Sequence, residues 1–203
     1  GLVGSEMCIR DSFSTIYTSL HQEKVRNLVT MVAPFDFHTR DGLLNIWAKA
    51  LPPEFMSDVM GNIPGDFMNM GFLLLNPARL MVDKYKGFFD HMDDPAFVTN
   101  FIRMERWIFD SPDQAGKAWT EFMRNTYIEN NLVKGKMKIG DKKIDLKKVT
   151  CPILNVFASK DHLVPPACSR PLGDLVSSDD VETDEFPTGH IGIFTSGRSQ
   201  KEY

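Results

Sequence analysis

The feature that most constrains the fold of this 203-residue chain is a continuous apolar run, PILNVFA, at residues 152–158. A strand that alternates polar and apolar side chains can face water on one side, whereas a strand that is apolar throughout must be covered on both faces. Sheets covered on both faces are mostly parallel, with helices packed on either side. The run therefore predicts a buried strand of a parallel sheet, and with it an α/β fold.

The order of the other elements is consistent with such a sheet. A helix is predicted from Phe13, then a short strand over residues 25–32, several helices punctuated by prolines over residues 41–133, a lysine-rich hairpin over residues 134–148 and a last strand over residues 181–186. This order predicts an α/β sheet with an inserted helical cap. Three strands are too few to cover both faces of such a sheet, so we expect the first strands to be missing from the N-terminus, and the C-terminus to be truncated as well.

The chain divides into three parts on this interpretation. Residues 1–12, GLVGSEMCIRDS, have neither helical nor strand periodicity and are similar to translated sequencing adaptor, so we interpret them as a non-native segment. Residues 13–40 and 134–203 form the partial α/β core. Residues 41–133 form the cap.

Composition excludes several classes of function. The net charge of -4 gives no basic surface for nucleic acid, so no nucleic-acid partner is expected. No run of about 18 apolar residues is present, so no transmembrane segment is expected. The three cysteines, Cys8, Cys151 and Cys168, form neither a CxxC pair nor a disulfide framework, which indicates a reducing compartment and a cytoplasmic protein.

Two acid–base candidates follow the last two predicted strands. Asp161 comes three residues after the apolar run, and His190 comes four residues after the strand that ends at Phe186. Reactive side chains of open α/β sheets gather at the carboxyl ends of strands. A carboxylate beside an imidazole can fix its tautomer, so that the histidine deprotonates a nucleophile. The alternative is that Asp161 caps the following turn and that His190 is an ordinary loop residue.

The nucleophile of such a site is not evident from the sequence. No GxSxG or GxCxG elbow occurs. Cys8 lies five residues before Phe13, where a nucleophile could precede the helix, but residues 6 and 10 beside it are Glu and Arg rather than glycine. Whether Cys8 is the nucleophile therefore stays open. Cys151 and Cys168 are interpreted as structural thiols, because such positions are usually buried.

Other ligand sites have weaker support. His162 either lines the pocket or hydrogen-bonds a nearby carbonyl, and the second alternative is favoured. No HExxH, GxGxxG or GxxxxGK[ST] pattern is present, so no metal or nucleotide cofactor is indicated. The lysine-rich hairpin could attract an anion such as coenzyme A, although a charge run is more often a solvated face.

Five segments together resemble one enzyme family, the catalytic subunit of class III polyhydroxyalkanoate synthases, which polymerise hydroxyacyl-coenzyme A thioesters. The resemblance runs from about Phe13 to Tyr203, and the third and fourth segments contain the motifs, WIFDSPDQAG and DHLVPP, that in particular separate this family from general esterases. The segments are FSTIYTSLHQEKVRNLVTMVAPFDF, GNIPG, FIRMERWIFDSPDQAG, TCPILNVFASKDHLVPP and GHIGIFTSG.

The resemblance implies an α/β-hydrolase fold with a helical cap, and an acyltransferase with a Cys-His-Asp triad. His190 would be the base that activates the cysteine, and Asp161 would be the acidic member that helps to activate the incoming hydroxyl. The family's cysteine sits in a GxCxGG elbow directly before the FSxxY helix. Here SEMCIRDS takes its place, with Cys8 in the same register but without the glycines, so we expect this fragment itself to be inactive.

The resemblance also implies partners. They are a hydroxyacyl-coenzyme A substrate, a second synthase subunit and the surface of a cytoplasmic polyester granule, and a homodimer through the cap is a further expectation. No cofactor is implied, since the coenzyme A thioester is itself the substrate. Two other functions remain open: a capped esterase, thioesterase or polyester depolymerase that transfers the acyl group to water, and an inactive truncated chain.

Overall fold

The fold is given by a computed structural model, which describes the backbone of residues 3–196 and the side chains of residues 10–196. The described residues form five strands: β1 (Leu28–Met31), β2 (Lys138–Ile139), β3 (Lys142–Lys143), β4 (Ile153–Ala158) and β5 (Val181–Phe186). Strands β1, β4 and β5 make a parallel sheet in that order, with β4 in the centre. The predicted α/β fold and its parallel sheet are thus confirmed.

The central strand is as buried as its composition requires. Five of the six residues of β4 are buried, and the exception, Leu154, is half-buried. Asn155 is the polar residue in this run, and both polar atoms of its side-chain amide form hydrogen bonds within the protein. It accepts a hydrogen bond from the Thr30 hydroxyl at 2.9 Å and donates one to the Ser169 carbonyl at 3.0 Å. A buried amide paired in this way links the central strand to β1 and to the segment after β4 that contains Ser169.

Helices surround the sheet and fill the stretch between β1 and β4. Helix α1 (Val3–Leu20) precedes β1. Six helices follow β1: α2 (Leu43–Ala50), α3 (Pro53–Met60), α4 (Gly65–Leu74), α5 (Lys84–Asp90), α6 (Pro95–Phe109) and α7 (Gly116–Met123). Three short helices lie beyond β4: α8 (Pro166–Ser169), α9 (Leu172–Leu175) and α10 (Gly192–Thr195). The helical insertion is therefore present, while its predicted boundaries at residues 41 and 133 stay predictions.

Two π-helical segments interrupt this insertion. Ala78–Asp83 leads directly into α5, and Arg124–Ile128 continues α7. The lysine-rich hairpin is formed by β2 and β3, which are antiparallel and joined by a turn in which Gly140 has a φ of 56°. Glycine adopts this left-handed conformation at little cost, so the predicted turn forms at Gly140-Asp141.

Helix α1 begins ten residues earlier than the sequence predicts. We expected a helix from Phe13, but the helix begins at Val3. Residues 3–12 contain no proline, so a helix nucleated downstream can extend through them. Two side chains of this stretch also contact the core: Asp11 Oδ2 accepts a hydrogen bond from Met31 N at 2.6 Å, and the Ser12 hydroxyl donates to Pro34 O at 2.8 Å. The non-native origin of residues 1–12 stays a prediction.

Two clusters of buried side chains hold the sheet. The first packs α1 and the segment after β3 against one part of the sheet, and it includes Phe35, Ile153 and Leu172. The second lies beneath the carboxyl ends of β4 and β5, and it includes Ala158, Phe186 and Ile193. The second cluster anchors the two loops that follow β4 and β5. Within the described residues, no helix is both long and apolar enough to cross a bilayer.

Candidate active site

The loops that follow β4 and β5 are joined by backbone hydrogen bonds. Ser159 N donates to Phe186 O at 2.8 Å, and Lys160 N donates to Thr188 O at 3.0 Å. These bonds continue the parallel pairing of β4 and β5 beyond the last strand residues. Asp161 and His190 follow directly on these loops, so the sheet itself brings the two side chains to the same edge.

Asp161 is fixed by its own loop. Its Oδ1 accepts hydrogen bonds from the backbone nitrogens of Leu163 and Val164, both at 2.9 Å. The residue is 5% exposed. Asp161 therefore does cap the following turn, as the alternative interpretation held, and its second carboxylate oxygen remains available for His190.

His190 completes a buried pair with Asp161. Its Nδ1 lies 2.5 Å from Asp161 Oδ2, and the histidine is 4% exposed. Helix α10 begins two residues after His190, and its Ile193 belongs to the cluster of buried side chains beneath the loops. The structure thus brings the two predicted site residues together, while their catalytic role stays a prediction.

Two glycines, Gly189 and Gly192, lie close to His190 in its loop. Neither of them has a positive φ. A Cβ on Gly192 would instead overlap the hydroxyl of Thr188. Gly192 is therefore required for close approach within the loop and not for backbone freedom.

The pair can act as an acid–base device. With Asp161 ionised, the His190 proton resides on Nδ1 and is donated to the carboxylate, which leaves Nε2 as the basic nitrogen. The carboxylate also stabilises the imidazolium that forms when Nε2 takes a proton. This arrangement suits the removal of a proton from a thiol or a hydroxyl.

His190 lines a cavity of about 320 Å³ between the two loops and the helical insertion. The cavity walls are mainly apolar. The loops contribute Leu163, Ile191 and the backbone around Gly189, and the insertion contributes Phe72, Leu73, Leu80 and Ile108. A cavity of this size and polarity fits a small or extended apolar group beside the basic nitrogen.

Two cations also line the cavity. Lys84 pairs with Glu105, which in turn accepts a hydrogen bond from the Tyr85 hydroxyl at 2.7 Å. Arg79 is exposed and forms no ion pair among the described residues. The lysines of the β2–β3 hairpin, in contrast, do not belong to the lining of this cavity. If an anionic ligand approaches the site, Arg79 is better placed to meet it than the hairpin.

His162 lines the cavity, which is the alternative that the sequence interpretation did not favour. Its Nδ1 is buried and has no hydrogen-bond partner among the described residues, so the expected bond to a carbonyl does not form there. Burial lowers the pKa of His162, with Asp161 opposing this effect and Arg79 reinforcing it. The imidazole is therefore neutral near pH 7.

The two cysteines with described side chains are structural. Cys151 is buried in the cluster that includes Phe35 and Ile153. Cys168 is buried on α8, with its sulfur 3.3 Å from the Thr39 hydroxyl. Burial raises the pKa of the Cys168 thiol to about 11. Cys8 lies in α1, and its side chain lies outside the described residues.

The raised pKa predicts that Cys168 resists alkylation. Only the thiolate reacts, and at pH 8 roughly one Cys168 thiol in a thousand is ionised. We expect iodoacetamide to leave Cys168 unmodified in the native chain at pH 8, and to modify it fully after unfolding in urea. Peptide mapping by mass spectrometry measures this. Rapid native modification of Cys168 would show that its thiol is a reactive group.

Two further cavity residues were not found from the sequence. Arg79 lies in the π-helical segment Ala78–Asp83, and Asn69 lies in α4. Neither belongs to a pattern associated with chemistry, and both reach the cavity only because the insertion folds over the loops. Within the described residues, no group of three or more His, Cys, Asp or Glu side chains is placed to hold a metal ion.

Comparisons with known proteins identify the fold and point to an activity. A family model described as the alpha/beta hydrolase fold matches residues 12–196. A poly(3-hydroxyalkanoate) polymerase subunit, PhaC, of Allochromatium vinosum is 50% identical over 97% of this chain and 55% of its own length. The subunits of the same name from Thiocystis violacea and Synechocystis sp. are 48% and 47% identical, again over 97% of this chain and 55% and 54% of their own lengths.

A solved structure with low sequence identity matches this chain, and this match shows only a shared fold. The crystal structure of BpoC from Mycobacterium tuberculosis H37Rv, described as a candidate non-heme bromoperoxidase, superimposes with a TM-score of 0.51 at 14% identity. The match covers 95% of this chain and 60% of that one. The chain spans about half the length of the curated relatives that it matches.

Proposed function

The chain belongs to the α/β-hydrolase fold family, and from this premise we propose that it is part of a polyhydroxyalkanoate polymerase. The polymerase would transfer (R)-3-hydroxyacyl groups from coenzyme A to a growing polyester. The observation that carries the proposal is the buried pair of Asp161 and His190 beside an apolar cavity. Relatives at 47–50% identity that are named poly(3-hydroxyalkanoate) polymerase subunits support this choice of reaction.

The first step of the proposed reaction loads the enzyme. His190 Nε2 takes the proton from a cysteine thiol, and the thiolate attacks the carbonyl carbon of the acyl thioester. The bond from that carbon to the sulfur of coenzyme A breaks, and His190 returns the proton to the leaving thiolate. The products are an acyl-cysteine and free coenzyme A, and no external cofactor takes part.

The second step lengthens the polymer. The hydroxyl of another hydroxyacyl group loses its proton to the Asp161–His190 pair, and its oxygen attacks the carbonyl carbon of the acyl-cysteine. An ester bond forms as the carbon–sulfur bond breaks, and the cysteine regains the proton. The mainly apolar wall of the cavity favours this outcome, because water would otherwise compete with the hydroxyl.

The nucleophile is the part of the proposal that depends on residues 1–12. The described cysteines are buried, and the pKa of Cys168 is too high for a nucleophile. We propose that the active polymerase has a cysteine elbow directly before Phe13, and that SEMCIRDS is a poor substitute for it even though Cys8 keeps the register.

A chimera tests both the activity and the elbow. Residues 13–203 of this chain replace the matching part of the Allochromatium vinosum subunit, and a second chimera contains residues 1–203. We expect the first chimera to release coenzyme A from 3-hydroxybutyryl-coenzyme A and to form polymer. We expect the second to be about a thousandfold slower, since an elbow without glycines cannot present its cysteine.

The products decide between the functions. If coenzyme A is released and free 3-hydroxybutyrate forms instead of polymer, the activity is that of a thioesterase and not of a polymerase. No release by either chimera, in folded protein, would contradict the proposed activity altogether.

The partners follow from the same proposal. The relatives are named as subunits, which supports a second synthase subunit as a partner. The helical insertion exposes Phe55, Val59 and Phe89, each more than 60% accessible. An apolar surface of this kind suits contact with a polyester granule, and we propose that the polymerase works there, in the cytoplasm.

A further inference from the structure

Asn69 is a buried polar residue in the wall of the cavity that His190 also lines. It lies in α4, is 5% exposed, and faces the cavity together with Phe72 and Leu73 of the same helix. Its amide nitrogen is buried and has no hydrogen-bond partner among the described residues. An unpaired buried amide costs free energy of folding, so its presence calls for a partner outside the folded chain.

The unpaired atom does not depend on how the amide is oriented. As placed, Asn69 Oδ1 lies 3.1 Å from the Ser111 hydroxyl, which is also 3.1 Å from Ile108 O. The hydroxyl has one proton, so it can donate fully to only one of them. If the amide is turned over, Nδ2 donates to Ser111 and Oδ1 becomes the unpaired atom. One terminal atom of Asn69 lacks a protein partner in either case.

Helix α4 is held rigidly at this place by two motifs that the sequence singled out. GNIPG, at residues 61–65, pairs with the segment SPDQAG at residues 111–116. Ile63 and Gln114 exchange two backbone hydrogen bonds of 2.8 Å, and Gly65 N donates to Asp113 Oδ1 at 3.1 Å. We name this contact between residues 61–65 and 111–116 the glycine clamp. It fixes both the start of α4 and the serine that binds Asn69.

We propose that Asn69 binds an oxygen atom of the acyl chain in the cavity and so positions that chain next to His190. This inference rests on the proposed function, because it takes the acyl chain to be a 3-hydroxyacyl ester. Such a chain alternates apolar carbons with carbonyl and ester or hydroxyl oxygens. The cavity offers a matching surface, in which apolar walls surround Asn69 on the insertion and His190 on the loops.

The proposal makes Asn69 a residue that stabilises the complex and not the free protein. Leucine has the same branched arrangement of side-chain heavy atoms as asparagine, and the cavity beside residue 69 leaves room for its larger methyl groups. The Ser111 hydroxyl would keep its bond to Ile108 O in the Asn69→Leu variant. Removing an unpaired buried amide is neutral or stabilising for the fold. Removing the group that binds the acyl oxygen weakens binding.

The test measures both properties in the 203-residue chain. The probe is the neutral methyl ester of the linear trimer of (R)-3-hydroxybutyrate, titrated by isothermal calorimetry. We expect Asn69→Leu to raise the Kd for the trimer about tenfold and to leave Tm unchanged or higher. The matched control is Asn100→Leu, an exposed position on α6 that does not belong to the lining of the cavity, and its Kd should equal that of the unchanged chain.

Each other outcome overturns the inference. Equal Kd values for Asn69→Leu and the unchanged chain, or no binding of the trimer to the unchanged chain, would show that Asn69 does not bind an acyl oxygen. A lower Tm with an unchanged Kd would make Asn69 a structural residue of the glycine clamp. Failure of the proposed function is separate, since it would be seen as an absence of coenzyme A release in the chimera of residues 13–203.

Discussion

Replacing His190 by alanine is expected to lower coenzyme A release by the chimera of residues 13–203 at least about a thousandfold. The imidazole is the base that the proposed loading step requires, and among the described side chains it is the one that Asp161 holds at 2.5 Å. The measurement is the steady-state rate with 3-hydroxybutyryl-coenzyme A, with circular dichroism to verify folding. The matched control is His91→Ala, an exposed histidine at the end of α5, which should leave the rate unchanged.

Asp161→Asn should lower coenzyme A release by a comparable factor, through a change in the tautomer of His190. The amide nitrogen would donate to His190 Nδ1, which moves the imidazole proton to Nε2 and removes the basic nitrogen from the site. The other atom of the new side chain, a carbonyl oxygen, could still accept from Leu163 N and Val164 N, so the loop should stay intact. Near-normal turnover in either variant would remove the pair from the mechanism.

Alanine at Gly116 is expected to destabilise the chain by about 3 kcal/mol. A Cβ at this position would overlap the backbone oxygen of Gly61, and backbone cannot move aside as a flexible side chain can. Gly65→Ala would produce a similar overlap with the backbone oxygen of Ser111. Both changes would open the glycine clamp, and urea unfolding followed by circular dichroism measures the loss.

The control for this prediction lies in the same helix as Gly65. An added Cβ on Gly71 meets nothing within 4 Å, so Gly71→Ala should be neutral, or stabilising by up to about 1 kcal/mol through higher helix propensity. If Gly116→Ala and Gly71→Ala unfold at the same urea concentration, close backbone approach does not hold the insertion together.

The sheet and the pair at its edge were predictable from the sequence because their signals are local. The run PILNVFA is apolar enough to identify β4, and the polar loops that follow β4 and β5 contain Asp161 and His190. Parallel pairing then requires Asp161 and His190 to share one edge of the sheet.

The interior of the insertion was not predictable, because its contacts join residues far apart in the chain. Gln114, just before α7 begins at Gly116, pairs with Ile63, about fifty residues earlier in the chain. The unpaired amide of Asn69 likewise exists only once α4 lies against the segment around Ser111. His162 reached the cavity instead of a carbonyl for the same reason, since its surroundings are set by the fold of the insertion.

Among the described residues, the Asp161 carboxylate makes three hydrogen bonds, two with the backbone of its own loop and one with His190, and none with the helical insertion. In the proposed polymerase, the acid–base chemistry would therefore belong to the loops after β4 and β5, while the insertion would supply much of the wall that contacts the acyl chain. Residues such as Phe72, Leu80 and Ile108 can diverge during evolution, and so admit longer or shorter monomers, without disturbing the orientation of the imidazole. If the proposed function holds, changes confined to the helical insertion would be enough to give such a polymerase new monomers.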